Sequence, residues 1–343
     1  MGTEVRDVKR ANNGKVIGTH NGTFHCDEAL AVFLLRQTNT YQDSNVRRSR
    51  DPKILDTCDI VVDVGGVYDE SLQRFDHHQR EFNGVFGHGF VTKLSSAGLV
   101  YKHFGKEIIA NRLKKSQDDP VIETLWLKMY KEFIEGIDGI DNGVLQYADG
   151  ALPRYRVKTD LSSRVSWLNP AWNEKVDSNG VDELFEKAST LTGSEFTNRL
   201  DYYANAWLPA RDIVHSAFSE RKNVHASSRI ILFTQFAPWK EHLYEIEREA
   251  GIAEDEKPFY IIYPDETASN WRIQAVSVSP DSFENRLSLP EKWRGLRDEA
   301  LSKESGIPGC IFIHSSGFIG GNATKEGALT MATRSLEMQG KAS

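Results

Sequence analysis

Cysteine is scarce in this chain of 343 residues: Cys26, Cys58 and Cys310 are too few and too scattered for a disulfide framework, which fits a reducing compartment. No apolar run approaches the roughly 20 residues that span a bilayer, so no membrane partner is expected. The first fourteen residues have no apolar stretch and mix Glu4 and Asp7 with Arg6, Lys9 and Arg10. That is a poor signal or transit peptide, and the chain reads as soluble and intracellular, in cytoplasm or nucleus. A Gly-x-x-x-x-Gly-Lys phosphate loop is also missing, which weighs against a nucleoside triphosphatase. Positive charge is not in excess either. The net charge of −7 gives no overall attraction for nucleic acid, so a polyanionic substrate would need a local basic groove or bound metal ions.

What remains is an ordinary globular composition, 39% hydrophobic and 27% charged. The length predicts two domains, placed at residues 14–222 and 223–343. Lys15 to Thr19 reads as a strand, Ile60 to Val64 as a buried β-branched strand, and a helix begins near Asp27, a plausible N-cap. Ser95 to Leu113 and Val121 to Ile137 read as helices, and residues 142 to 180 as irregular. A helical connector runs from Val181 to Arg221, broken near Thr192-Gly193 and Pro209. Strands resume at Arg229–Phe233, Phe259–Tyr263, Trp271–Val278 and Cys310–Ile313. The fold class is therefore α/β: an N-terminal parallel-sheet domain, the connector and a smaller C-terminal α/β domain.

Metal-type ligands cluster after the strands, where α/β sheets bind their ligands. His20, His25 and Asp27 follow the first strand, Asp63 ends the second, and Asp76-His77-His78 comes next. Each alone could be a cap, a satisfied core histidine or a solvated loop. Together, in order at neighbouring strand ends, they point to a metal-dependent hydrolase. Imidazole with carboxylate suits Mn, Fe or Zn, and oxygen-rich sites suit Mn and Mg. Asp138 and Asp141, near a helix end, offer a fourth carboxylate source, poorly placed against the helix dipole unless a cation is present.

This series resembles the DHH phosphoesterase superfamily of exonucleases, nanoRNases and manganese pyrophosphatases. Within it, Thr19 to Ala31, Val61 to Gly66, Arg74 to Gln79 and Gly309 to Asn322 are similar to the Myg1 family. The resemblance covers nearly the whole chain. It implies a DHH-type catalytic domain and a metal-dependent 3′–5′ exonuclease of the nucleus and mitochondrion. The substrate would be single-stranded RNA, with DNA as the alternative, and no oligomer is predicted. It assigns His20, His25, Asp27, Asp63, His77 and Asp141 as ligands of two Mn²⁺, or Mg²⁺, with Asp63 bridging and His78 orienting the scissile phosphate or the metal shell. Asp141 is preferred to Asp138 because Asp141-Asn142-Gly143 fits the superfamily's Asp-Thr-Gly frame. The first motif departs from that pattern: His25 stands where an Asp is usual, with one extra residue before it.

In the C-terminal domain the resemblance assigns phosphate binding to a glycine-rich loop, Gly320-Gly321-Asn322, before a helix from Lys325 to Met338. His314, Arg272 and Arg286 would add charge, and Trp271, Trp293 and Phe318 are candidates for base stacking. Arg47, Arg48 and Arg50 form a basic patch. The competing reading is a manganese-dependent pyrophosphatase or small-molecule phosphoesterase on the same metal core, but the pyrophosphatases' Ser-Arg-Lys clamp is missing. A catalytically silent binding module would not retain costly buried carboxylates.

Overall fold

A computed structural model describes residues 14–147, 154–265 and 269–340. The chain forms two compact units, Met1–Asp201 and Tyr202–Ser343. The division lies upstream of the position near residue 223 expected from the sequence, because the helix Leu208–Ser219 packs on elements of the second unit.

The first unit runs β1 (Val16–Thr19), α1 (Cys26–Leu35), β2 (Asn45–Arg48), α2 (Pro52–Leu55), β3 (Ile60–Val62), β4 (Tyr68–Asp69) and β5 (Arg74–Phe75). Its sheet has the order β2-β1-β3-β5-β4, parallel except for the antiparallel edge strand β4. The run Ile60-Val61-Val62 is buried throughout, as a central strand covered on both faces must be. A hairpin of β6 (Val85–Gly87) and β7 (Phe90–Lys93) follows, then α3 (Ser96–Leu113), which packs on α1.

Asp119 caps α4 (Pro120–Met129) through the Val121 amide, with Pro120 in the first turn. The helix continues through one π turn, Tyr130–Ile134, into α5 (Glu135–Asp141). The expected helix over 121–137 is thus present, but its last part is re-phased by an extra residue. Next come α6 (Leu161–Ser166), inside the stretch expected to be irregular, and α7 (Ser178–Tyr202). No break occurs at Thr192-Gly193. Gly193 instead makes room for the Phe33 ring, since a Cβ there would lie 2.0 Å from Phe33 Cδ2.

The second unit contains a π turn Tyr203–Trp207, α8 (Leu208–Ser219) with Pro209 in its tolerated first turn, and α9 (Arg221–Val224). It continues with β8 (Ile230–Leu232), α10 (Lys240–Glu249), β9 (Tyr260–Pro264), β10 (Trp271–Ala275), α11 (Asp298–Ser305), β11 (Cys310–Ile313), β12 (Ile319–Asn322) and α12 (Lys325–Met338). The sheet order is β11-β12-β10-β9-β8, and only the pair β8–β9 is parallel. Strand alternation divides the core: Tyr260 and Ile262 pack with Met331 and Leu336, while Ile261 and Tyr263 pack with Val214 and Leu243.

Gly320 and Gly321 lie within β12 rather than in a turn. A Cβ at Gly320 would sit 2.9 Å from the Phe312 carbonyl oxygen, and one at Gly321 would sit 2.6 Å from Arg272 Nη1. The pair is therefore explained by close cross-strand packing. Among the described residues, no helix is long and apolar enough to cross a membrane.

Candidate metal centre

β1, β3 and β5 are neighbours in one parallel sheet, so their carboxyl ends bring His20, Asp63 and His77 to one edge. Asp63 has a left-handed backbone, φ 60°, an energetically uphill conformation that Asp tolerates better than most residues. Its amide still donates to the Phe75 carbonyl at 3.1 Å. That bond anchors the strained residue beside the strand that leads to His77.

His25, not Asp27, is the N-cap of α1. Its extended backbone starts the helix, and Glu28, three residues on, accepts the His25 amide at 2.8 Å. Asp27 thereby falls in the first turn and buries its side chain. Its Oδ2 accepts the Ser96 hydroxyl at 2.7 Å, tying α1 to the start of α3.

Three donor groups result, and in each the ligating atoms lie within 4.8 Å of one another: His20, His25, Glu28 and Asp63; Asp63, His77 and His78; Asp27, His77 and Asp141. Asp63 belongs to two of them. Its Oδ2 is 3.3 Å from His20 Nε2 and its Oδ1 is 3.2 Å from His77 Nε2. Asp141 Oδ2 is also 3.2 Å from His77 Nε2. Even so, Asp27 Oδ1, Glu28 Oε2, Asp63 Oδ1 and His77 Nε2 are buried with no hydrogen-bond partner. Buried polar atoms are rarely left unpaired, and unpartnered atoms within each donor group are what divalent cations would satisfy. The mixed imidazole and carboxylate donors suit Mn, Fe or Zn.

The supporting bonds fix the rings. Asn142 Oδ1 lies 3.3 Å from His77 Nδ1, while the Asn142 amide donates to the Lys93 and Asp138 carbonyls at 2.9 Å each. The imidazole Nδ1–H therefore donates to Asn142, leaving Nε2 free for a metal. His78 Nδ1 lies 2.7 Å from Asp76 Oδ1, and Asp76 also receives the Gly66 and His77 amides.

Asp138 has a different task. Fully buried, it accepts the Ser95 amide and hydroxyl, the Gly98 amide and the Tyr130 hydroxyl. It holds the start of α3, and a Cβ at Gly98 would stand 2.3 Å from its Oδ2.

The charges of these neighbours depend on one another. Burial would lower His20, but its bonds to Asp63 and Glu28 outweigh this and raise it to about 10. His77 likewise rises to about 9, chiefly through Asp63. Burial raises Glu28 and Asp141 to about 8 each, with neighbouring carboxylates adding to it. Asp63 is lowered, because His20 and His77 overcome its burial.

Two cavities meet at His25, Asp63 and His78. One, of about 490 Å³, is lined by Asp27, Lys93, Asp141, Asn142, Ser162 and Ser166 among others. The other, of about 530 Å³, is lined by His20, Arg50, Gly65, Gly66, Gln79 and Arg80 among others.

The structure brings His20, His25, Asp27, Asp63, His77, His78 and Asp141 together and leaves Asp138 apart. Glu28 and Asn142 stood inside the recognised motifs without an assignment. The i to i+3 relation of Glu28 to the N-cap was the available signal for the first. The second-unit candidates are dispersed. Arg286 is ion-paired to buried Glu247 at 2.6 Å, and Asn322 is fully buried, donating to the Pro308 carbonyl and accepting the Thr324 amide. Arg272 packs over the Phe312 ring and pairs with Asp265. Trp293 is a core residue. His314 is exposed, against Phe318 and Ser316.

Residues 16–336 match the family model MYG1_exonuc, described as an uncharacterised protein family, UPF0160. A Homo sapiens protein named MYG1 exonuclease is 51% identical over 326 residues, covering 93% of this chain and 85% of that protein. A Schizosaccharomyces pombe MYG1 protein is 51% identical over 330 residues, 95% of this chain and 98% of its own length. A Saccharomyces cerevisiae MYG1 protein is 43% identical over 338 residues, 97% and 99% of the two chains. No solved structure matches the chain.

Proposed function

Because the chain belongs to the MYG1 exonuclease family (UPF0160), we propose that it is a divalent-metal-dependent exonuclease that hydrolyses phosphodiester bonds of single-stranded RNA from the 3′ end. The observation that carries this reading is the sharing of Asp63 between two donor groups at neighbouring strand ends. One ion would be held by His20, His25, Glu28 and Asp63, and a second by Asp63, His77, Asp141 and Asp27. Bound divalent ions, Mn²⁺ in the first instance, supply Lewis-acid polarisation of the phosphoryl oxygens and a water of lowered pKa.

The protein's own groups do the rest. Asp63 is held by its backbone where both donor groups can use it. Asn142 and Asp76 fix the rings of His77 and His78. His78, on the rim with its side chain 61% exposed, is the residue placed to meet the scissile phosphate. Arg50 and Arg80, lining the second cavity, offset phosphate charge there. In the second unit, exposed His314 is the proposed phosphate contact.

The test offers purified protein with Mn²⁺ or Mg²⁺ to end-labelled single-stranded RNA, single-stranded DNA and pyrophosphate. Stepwise shortening of RNA from the 3′ end, lost in Asp63→Asn and His77→Ala, is expected. Turnover of pyrophosphate alone would transfer the assignment to a small-molecule phosphoesterase.

A further inference from the structure

Just before the helix that contributes to the first cavity, the chain carries a short basic and aromatic stretch that the metal chemistry does not use: Arg154-Tyr155-Arg156-Val157-Lys158. All five residues are exposed, Tyr155 to 77%. Three cations in five residues, without an acid among them, stand out in a chain of net charge −7. The adjoining carboxylate, Asp160, caps α6 through the Ser163 amide at 2.9 Å and hydroxyl at 2.7 Å and feels the charge of Lys158, so the acid nearest the stretch offsets only part of its charge.

The stretch leads directly into the cavity wall. α6 packs against α1 and α5 and contributes Ser162 and Ser166 to the lining. Its far end is fastened to the metal-ligand loop, where Asn169 accepts the Phe24 amide at 3.0 Å and donates to the Phe24 carbonyl at 2.9 Å. Trp167, the residue after Ser166, is 63% exposed. An exposed aromatic therefore lies beyond each end of a helix that lines the cavity, with three cations before its first turn.

We infer that Arg154, Tyr155, Arg156, Lys158 and Trp167 form the track along which single-stranded nucleic acid enters the first cavity. Phosphates would lie against the three cations and bases against Tyr155 and Trp167. Every base offers a π-face, so such a track binds without reading sequence. This rests on the nuclease reading above, which sets the occupant as the substrate strand.

Two measurements separate the track from that reading. The first is fluorescence-anisotropy binding of a single-stranded oligonucleotide, longer than the roughly 4–16 nucleotides one groove spans, with chelator present so that no cleavage occurs. The triple variant Arg154→Ala, Arg156→Ala, Lys158→Ala should bind at least about tenfold more weakly. Its slope of log affinity against log salt should be shallower by about 2, since each phosphate neutralised contributes about 0.7 on a single strand. Tyr155→Ala with Trp167→Ala should weaken binding without altering the slope. The charge-preserving Arg154→Lys, Arg156→Lys should stay near wild type.

The second measurement is the ratio of kcat/KM for the long oligonucleotide to that for a dinucleotide, which should fall about tenfold in the triple variant. A wild-type protein that binds the oligonucleotide through these residues yet cleaves nothing would support the track and sink the nuclease reading. Equal affinity and equal salt slope in wild type and triple variant, at matched melting temperature, overturn the track, as does wild-type protein that binds no oligonucleotide.

Discussion

Asn142 Oδ1 lies 3.3 Å from Nδ1 of His77, so a residue outside the donor groups decides which nitrogen of the histidine would face a metal. Removing such a support typically costs 10–100-fold in metal affinity. Asn142→Ala should therefore weaken Mn²⁺ binding by about that factor in calorimetric titration. Loss of its two carbonyl contacts should also lower stability by about 1–2 kcal/mol. An unchanged Mn²⁺ affinity would mean that His77 is oriented by something else.

Glu28 separates the two ligand groups. It belongs to the His20 group and not to that of Asp27, His77 and Asp141. Glu28→Gln can still accept the His25 amide, so α1 keeps its start. Metal analysis of the purified variant should find bound Mn²⁺ reduced from two ions towards one. Two ions at full affinity would falsify its place in the set.

Gly98 and Gly136 make a matched pair. A Cβ at Gly98 collides with the carboxylate of Asp138, whereas a Cβ at Gly136, in α5, meets nothing within 4 Å. Gly98→Ala should destabilise by about 1–3 kcal/mol, as overpacking does, and lower the melting temperature. Gly136→Ala should raise stability by about 0.5–1 kcal/mol. The two melting temperatures moving in the same direction would contradict the packing described.

Asp138 gives the fold a pH dependence. Burial raises it to about 7, against the resistance of Ser95 and Tyr130, compared with an unfolded value near 3.9. A raised carboxyl favours the protonated native state, so its contribution is complete below pH 4 and is lost as pH rises through 7. Asp138→Asn keeps an acceptor for Ser95 and removes the ionisation. In chelator-treated protein, the melting temperature of the variant relative to wild type should climb between pH 4 and pH 7. A constant difference over that window would show that Asp138 is ionised throughout.

The gathering of His20, Asp63 and His77 was readable because they follow strand ends, and the β-branched run Ile60-Val61-Val62 announced the central strand. The glycine pair misled because spacing cannot distinguish a turn from a strand in tight contact, and the bulk of Arg272 and Phe312 across β12 is a tertiary fact. Arg286 and Asn322 looked free for the same reason: their partners, Glu247 and the Pro308 carbonyl, lie 39 and 14 residues away. Gly193 looked like a helix break until Phe33 was seen to fill its place. The π turn at Tyr130–Ile134 leaves no mark in apolar periodicity, since one residue of slippage in a short helix is within the scatter of any amphipathic pattern.

That π turn has a consequence for how the chain tolerates length changes. One residue beyond a regular turn rotates everything after it by about 100°. Shortening the segment by a single residue would restore an uninterrupted α-helix. It would also swing Asp138 away from Ser95 and Asp141 away from His77, leaving a well-formed helix that no longer serves the site. The same deletion in the exposed stretch Ser116 to Asp118, which precedes α4, would alter only a connection.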